Sequence, residues 1–206
     1  MVSLARILTL CAVIAIGTFT ARSASADPLV FDYHGWHIDL TKARGAEPPK
    51  QMADAVIRQL DIVEHVGLKP EVVDFMRTLP IWANPAAAKA GPGRYGSRTG
   101  VDLRVKALDA DKPIILHEFL HAYHDRLMPG GFNNPEIREF FNRGRLFWTP
   151  DSYMMSNERE FFAVTASVYL FGSIDREPYS RAALRSRQPA YYQWLATLFD
   201  DGKPRS

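Results

Sequence analysis

The stretch that decides the fold reads Asp111-Lys-Pro-Ile-Ile-Leu-His-Glu-Phe-Leu-His-Ala-Tyr-His-Asp-Arg-Leu-Met128 and predicts one helix. Asp111 is a suitable N-cap, Pro113 is tolerated in a first helical turn, and Pro129-Gly130-Gly131 ends the helix. Apolar residues before and between the histidines continue one face of this helix, which is therefore expected to be buried.

The centre of this helix is His117-Glu118-Phe119-Leu120-His121. The two histidines are four residues apart, so both imidazoles lie on one helical face and can reach one zinc ion. Glu118 is rotated by about 100° from His117 and can act as a general base beside the metal. With six His and nine Glu in 206 residues, random order gives only about 0.008 such matches per chain. The pattern therefore predicts one Zn²⁺ per chain.

A catalytic zinc site needs a third protein ligand. The position that would supply a third histidine from the same run is Leu127, which leaves a carboxylate from another helix. A helix predicted over residues 157–172 carries two candidates, Glu158 and Glu160. Their side chains point about 200° apart on a helix, so only one of them can face the metal. Packing alone does not decide between them.

Other histidines and acids are expected to stay out of the metal site. His34 and His37 fall on a β-hairpin predicted over residues 29–40, and their spacing does not bring ligands together. His124 and Asp125 lie about one turn beyond the second histidine of the motif, too far along the axis to join the same tetrahedral site. We expect these two residues to support the site or to lie at the surface.

Upstream of the metal motif, apolar spacing predicts helices over residues 48–66 and 70–79 and a short strand at 81–83. Residues 84–100 contain four glycines and two prolines, which predicts an exposed loop. The stretch Gly100–Val105 alternates apolar and polar residues, which is typical of a half-exposed strand.

The first residues have the order of a secretory signal peptide. Arg6 precedes an apolar run over residues 7–16, and small residues follow as far as Ala26. The run is shorter than the roughly 20 residues that a membrane span requires. We therefore expect residues 1–26 to be removed from a secreted or periplasmic protein that has no membrane span after cleavage.

Residues 27–206 are expected to form a single catalytic domain, with 27–99 as its N-terminal part and 100–206 as its zinc-site part. Without the signal peptide, basic and acidic residues number 23 each, which argues against nucleic acid as a partner. Cys11, the only cysteine, lies in the signal peptide, so the mature chain is expected to contain no disulfide.

Two motifs together resemble a known family. His117-Glu-Phe-Leu-His-Ala122 is followed by Tyr153 and then by Glu160-Phe-Phe-Ala163. This combination resembles the catalytic domain of the anthrax lethal-factor-like gluzincin peptidases, which include the small secreted Pro-Pro endopeptidases. The resemblance covers residues 100–172. It implies that Glu160 is the third zinc ligand and that Tyr153 stabilises the oxyanion of the tetrahedral intermediate.

The chain departs from the family pattern at Leu120, where the family usually has glycine, and at Val164, where many members have a further glutamate. Together the motifs and the resemblance predict an α+β, zincin-like fold: a small mixed or antiparallel sheet above the His-Glu-x-x-His helix and the helix with the third ligand. Gly100–Val105 is expected to be the strand at the edge of the cleft, where an extended peptide or protein substrate would pair.

The function expected on these grounds is that of a zinc-dependent endopeptidase. Two alternatives remain open at this point. One is a zinc-binding protein that has lost turnover and acts as a binding module, which the presence of Glu118 and Tyr153 argues against. The other is an endopeptidase that cleaves peptidoglycan cross-links by the same metal chemistry.

Overall fold

The computed structural model describes residues 29–83 and 91–206. Over these ranges the chain forms a five-stranded mixed sheet and seven α-helices, which confirms the α+β class. The signal peptide predicted at 1–26 lies outside the described residues, as does the 84–90 part of the predicted loop. In the described ranges no helix combines the length and the apolar character needed to cross a bilayer.

The strands are β1 (Val30–Tyr33), β2 (Trp36–Asp39), β3 (Ile81–Ala83), β4 (Gly93–Gly96) and β5 (Gly100–Leu103). Their order in the sheet is β1-β2-β3-β5-β4. The outer pairs, β1 with β2 and β4 with β5, are antiparallel, whereas β3 is parallel to both of its neighbours. The predicted hairpin is confirmed as β1 and β2, with its turn at His34-Gly35.

The edge of the sheet on the metal side differs from the prediction. Gly100–Val105 was expected to be a half-exposed edge strand, but β5 ends at Leu103 and lies inside the sheet between β3 and β4. Val101 and Leu103 are fully buried there. The edge strand is β4, within the stretch predicted to be an irregular loop. Its glycines mark the strand ends, and Gly100, at φ 81°, closes the turn back into β5.

The helices are α1 (Pro49–His65), α2 (Pro70–Arg77), α3 (Ile114–Arg126), α4 (Pro135–Gly144), α5 (Glu158–Phe171), α6 (Arg181–Arg187) and α7 (Pro189–Asp200). The predicted helices upstream of the metal motif are confirmed as α1 and α2, and the two helices around the motifs as α3 and α5. Helices α4, α6 and α7 were not predicted. Helix α3 is central: it contacts α1, α2, α5 and the edge strand β4.

The first turn of α3 is capped by a residue that the sequence did not indicate. Asp111 was the predicted cap, but α3 begins only at Ile114. The buried side chain of Gln59, from α1, takes this role. Its oxygen accepts hydrogen bonds from the N–H groups of Ile114 and Ile115 at 2.9 and 3.2 Å, and its nitrogen donates to the carbonyls of Asp109 and Lys112 at 2.6 and 2.7 Å. Helix α1 therefore fixes where the metal-motif helix starts.

Candidate metal centre

Three side chains from two helices converge at the centre of the molecule. His117 and His121, one turn apart on α3, bring their Nε2 atoms to 3.1 Å from each other. Glu160, in the first turn of α5, lies with Oε2 at 3.2 Å from Nε2 of His117 and with Oε1 at 3.5 Å from Nε2 of His121. Each residue thus offers one ligand atom toward a common point, and the group could hold a metal ion.

The spacing and burial of these atoms fit a bound cation. A four-coordinate zinc with bonds of about 2.0–2.2 Å separates its ligand atoms by roughly 3.3 Å. The separations of 3.1, 3.2 and 3.5 Å lie around this value. Oε2 of Glu160 is also buried, and although it lies 3.2 Å from Nε2 of His117 it has no well-formed hydrogen bond among the described residues. A buried carboxylate oxygen normally has a partner, and a metal ion would provide one.

Glu160, and not Glu158, is the acid that lies beside the histidines. The carboxylate of Glu158 points away from the centre, 3.8 Å from the guanidinium of Arg138, and is 38% exposed. Because the side chains of Glu158 and Glu160 point about 200° apart on a helix, only one of them can face the metal. The structure brings Glu160 to that position, as the family resemblance implied.

The start of α5 holds Glu160 in place. The side chain of Asn157 caps the helix by accepting hydrogen bonds from the backbone N–H groups of Arg159 and Glu160, both at 3.0 Å. Burial alone raises the pKa of Glu160, but the neighbouring histidines outweigh burial and hold this pKa well below its usual range. The carboxyl group is therefore ionised at neutral pH, as a metal ligand must be.

Glu118 points into the same centre from α3 and is held by the edge strand. Its Oε2 accepts a hydrogen bond of 2.7 Å from the backbone N–H of Tyr95 in β4. Gly93 leaves the space for it, since a Cβ at that position would lie 2.9 Å from both Cγ and Oε1 of Glu118. Burial raises the pKa of Glu118, although the two histidines of the centre oppose that rise. A raised pKa suits a carboxylate that must take up a proton.

Two further side-chain hydrogen bonds join α3 to the edge strand and the turn that follows it. The hydroxyl of Tyr95 donates to the carboxylate of Asp125 at 2.9 Å, and the side chain of Arg126 donates to the carbonyl of Ser97. These contacts hold β4 against the exposed side of the metal-motif helix. Asp125, which the sequence predicts either to support the site or to lie at the surface, makes one of these contacts.

Tyr153 lies at the mouth of the centre, in a short 3-10 turn over Tyr153–Met155 that leads into α5. The residue is 48% exposed, and the centroid of its ring lies 6.3 Å from that of His117. Burial of the phenol oxygen and the negative charge of Glu160 raise the pKa of Tyr153 well above its usual range. The hydroxyl therefore keeps its proton and remains a hydrogen-bond donor.

The centre opens into a cleft of about 660 Å³. One wall is the start of β4, and the others come from the first turns of α3, from α5 and from the loop after α5. Val164, one of the two departures from the family pattern, is an apolar part of this lining, whereas Leu120, the other, is buried in the core. Residues of the centre and polar residues of the loop share the cleft: His117, Glu118, Tyr153, Asp175 and Arg176.

The remaining histidines lie away from the ligand group. His34 and His37 are exposed on the hairpin, as predicted. His124 is completely buried between the rings of Phe132 and Phe162, whose centroids lie 5.2 and 5.1 Å away. Neither of its ring nitrogens has a well-formed hydrogen bond among the described residues. Burial lowers the pKa of His124 to about 4, so this imidazole is neutral at physiological pH.

Sequence reasoning missed several residues that build this site: Gln59, Gly93, Tyr95 and Arg176. One signal for β4 was present, because residues 94–95 and 101–103 are separated by a short glycine-flanked turn, which is typical of a hairpin. Gln59 and Arg176 act through contacts distant in sequence and left no local signal.

Compared with known proteins, the chain matches no protein-family model, no curated protein and no solved structure. The motifs and the geometry of the centre are therefore the grounds on which a function can be inferred.

Proposed function

We propose that this chain is a zinc-dependent endopeptidase of the gluzincin type, similar to the lethal-factor-like peptidases, and that it acts in the periplasm or outside the cell. The proposed location rests on the signal-peptide pattern of residues 1–26. The proposed chemistry rests on the centre formed by α3 and α5.

The observation that carries the proposal is the position of Glu118 relative to the ligand group. His117, His121 and Glu160 make the two-histidine, one-carboxylate set that catalytic zinc sites use, which leaves a fourth position open. The carboxylate of Glu118 belongs to the same cleft but not to the ligand group. A purely structural zinc site needs four protein ligands and no such base, so this arrangement favours hydrolysis over a binding role.

The proposed roles of the residues follow from this arrangement. When bound, a zinc ion would polarise the scissile carbonyl and lower the pKa of the attacking water. Glu118 accepts a proton from this water while the water oxygen attacks the carbonyl carbon. Glu118 then delivers the proton to the leaving nitrogen. Tyr153 donates a hydrogen bond to the carbonyl oxygen on which negative charge develops. Tyr95 keeps Glu118 oriented through its backbone N–H.

The substrate is proposed to be a peptide or protein that binds in an extended conformation along β4. Tyr95 directs its N–H away from β5 and toward the centre, and every second residue of a strand has this orientation. The backbone groups of Gly93 therefore also face the cleft. Backbone pairing of this kind holds a peptide in line with the metal without requiring a particular sequence.

The test is hydrolysis of a mixed peptide library by the purified protein, with and without a chelator and after zinc is restored. The proposal expects internal cleavage that a chelator abolishes and that zinc recovers. Bacterial sacculi form a parallel arm, since cleavage of their cross-links alone would redirect the substrate class. A metal-replete protein that cleaves neither substrate would instead favour a binding role.

A further inference from the structure

The guanidinium of Arg176 lies over the face of the Tyr153 ring, at the rim of the cleft. Its central carbon is 4.9 Å from the ring centroid, within the range of a cation–π contact. Both residues line the cleft that contains the metal centre. Tyr153 is half-exposed and comes from a 3-10 turn, so it has less packing around it than a core residue.

The backbone around Arg176 is anchored on both sides. Asp175 pairs with Lys112, just before α3, at 2.7 Å. Glu177, only 11% exposed, accepts a hydrogen bond of 3.0 Å from the backbone N–H of Thr149. The carbonyl of Arg176 itself accepts a hydrogen bond of 2.7 Å from the N–H of Tyr179. The loop therefore has a defined path, and the side chain of Arg176, which also lies 3.8 Å from the carboxylate of Asp175, lines the cleft.

These contacts have a consequence for the tyrosine. A half-exposed phenol on a short turn can adopt several rotamers, and only some of them direct its hydroxyl toward the metal centre. The guanidinium over one face of the ring, together with the His117 ring at a centroid distance of 6.3 Å, restricts that choice. At an exposed site, a cation–π contact of this kind raises the population of one rotamer a few-fold.

We propose that Arg176 is a positioning residue that holds Tyr153 in the orientation required to stabilise the transition state. This inference rests on the proposed peptidase function. Because Arg176 acts through Tyr153, it contributes to kcat and not to substrate affinity. Its contribution also disappears when the tyrosine hydroxyl is absent.

The experiment is a double-mutant cycle with Arg176→Ala and Tyr153→Phe, on a peptide that the parent protein cleaves. Arg176→Ala is expected to lower kcat by about three- to fivefold, with KM changed less than about twofold. In the Tyr153→Phe background the same substitution should change kcat by less than about 1.5-fold. Arg176→Lys, which keeps the charge but replaces the guanidinium with an ammonium group, should give an intermediate kcat.

The matched control is Arg145→Ala. Arg145 is exposed at the C-terminal end of α4, and its guanidinium carbon lies 5.1 Å from the ring centroid of Phe141. This variant should keep the parent kcat. Zinc content and melting temperature are measured for each variant, so that lost folding is not read as lost positioning.

Several results would overturn the inference. An equal loss with and without the tyrosine hydroxyl, or a loss confined to KM, would mean that Arg176 binds substrate directly. An unchanged kcat for either Arg176→Ala or Tyr153→Phe would mean that there is no positioning to explain. A parent protein without chelator-sensitive cleavage fails at the earlier step, because it refutes the proposed function before any variant is compared.

Discussion

Glu118 is the residue whose substitution should separate metal binding from turnover. Glu118→Gln keeps the shape of the side chain and its hydrogen bond from Tyr95, but the amide cannot accept the proton of the attacking water. We expect the zinc content of the parent and a kcat lower by at least about 100-fold. Zinc analysis and peptide hydrolysis on one preparation measure both quantities.

The matched control for this variant is Glu158→Gln, which makes the same change on the far side of α5, where the carboxylate faces Arg138. It should retain the parent rate. Activity of Glu118→Gln within a few-fold of the parent would show that another group takes the proton.

The buried side chain of His124 should make the free energy of unfolding depend on pH. Its pKa is about 4 in the folded protein, against 6.5 for an unperturbed histidine. Below pH 6.5 the unfolded chain binds a proton that the folded chain does not, so stability falls as the pH is lowered toward 4. The expected loss from this residue is about 3 kcal/mol over that interval. His124→Leu should remove this part of the pH dependence, because leucine does not titrate.

The measurement is the free energy of unfolding in urea from pH 7 to pH 4, in the presence of a chelator so that metal release does not contribute. His34→Asn, at an exposed position of the hairpin turn, is the control and should change the curve less than His124→Leu does. If His124→Leu follows the parent curve, the buried imidazole is not the source of the effect.

At the level of secondary-structure elements, the start of α3 depends on α1. Gln59→Leu removes four hydrogen bonds and leaves the first N–H groups of α3 buried without a partner. We expect the free energy of unfolding to fall by about 2–3 kcal/mol. Zinc affinity should fall as well, because His117 lies in the first turn of α3.

Gln51→Leu is the matched control, since it makes the same change on an exposed position of α1. It should alter the unfolding free energy by less than about 0.5 kcal/mol. Equal effects of the two substitutions, measured by urea titration, would contradict a capping role for Gln59.

Four of the helices could be predicted from the sequence, whereas strand β4 and the cap of α3 could not. Helices α1, α2, α3 and α5 carry their apolar spacing and end signals within their own residues, so they could be predicted from the sequence. Strand β4 has only four residues, two of them glycine, and forms because β5 pairs with it. The cap of α3 lies 55 residues away from Ile114, and a local pattern does not reveal such a partner.

Some residues of the candidate site could also be predicted from the sequence, and others could not. His117, Glu118 and His121 could be predicted because their chemistry depends on spacing within one helix. The choice of Glu160 over Glu158 could not be made from helix geometry, and it came from the family resemblance alone. Arg176 was missed because its role depends on where the loop after α5 lies relative to Tyr153.

At the scale of the whole molecule, the centre joins distant parts of the chain. Buried apolar residues from Leu29 to Phe199 form one continuous core around α3 and α5. The C-terminal tail closes this core, since Arg205 pairs with Asp200 at 2.7 Å and donates to the carbonyl of Gly67 at 3.0 Å. A metal bound by the ligand group would bridge α3 and α5 and would bind the folded chain more tightly than the unfolded one, in which these ligands are not held together. It should therefore stabilise the fold by about 2.7 kcal/mol at a free concentration 100 times its Kd.

The central claim is that His117, His121 and Glu160 hold one zinc ion. The most direct test is the zinc stoichiometry and Kd, determined by chelator competition, of the parent, Glu160→Ala and Glu158→Ala. We predict about one zinc per chain in the parent, a Kd weaker by at least about 100-fold for Glu160→Ala, and an unchanged Kd for Glu158→Ala. Equal affinities in all three proteins, or a loss confined to Glu158→Ala, would contradict the account.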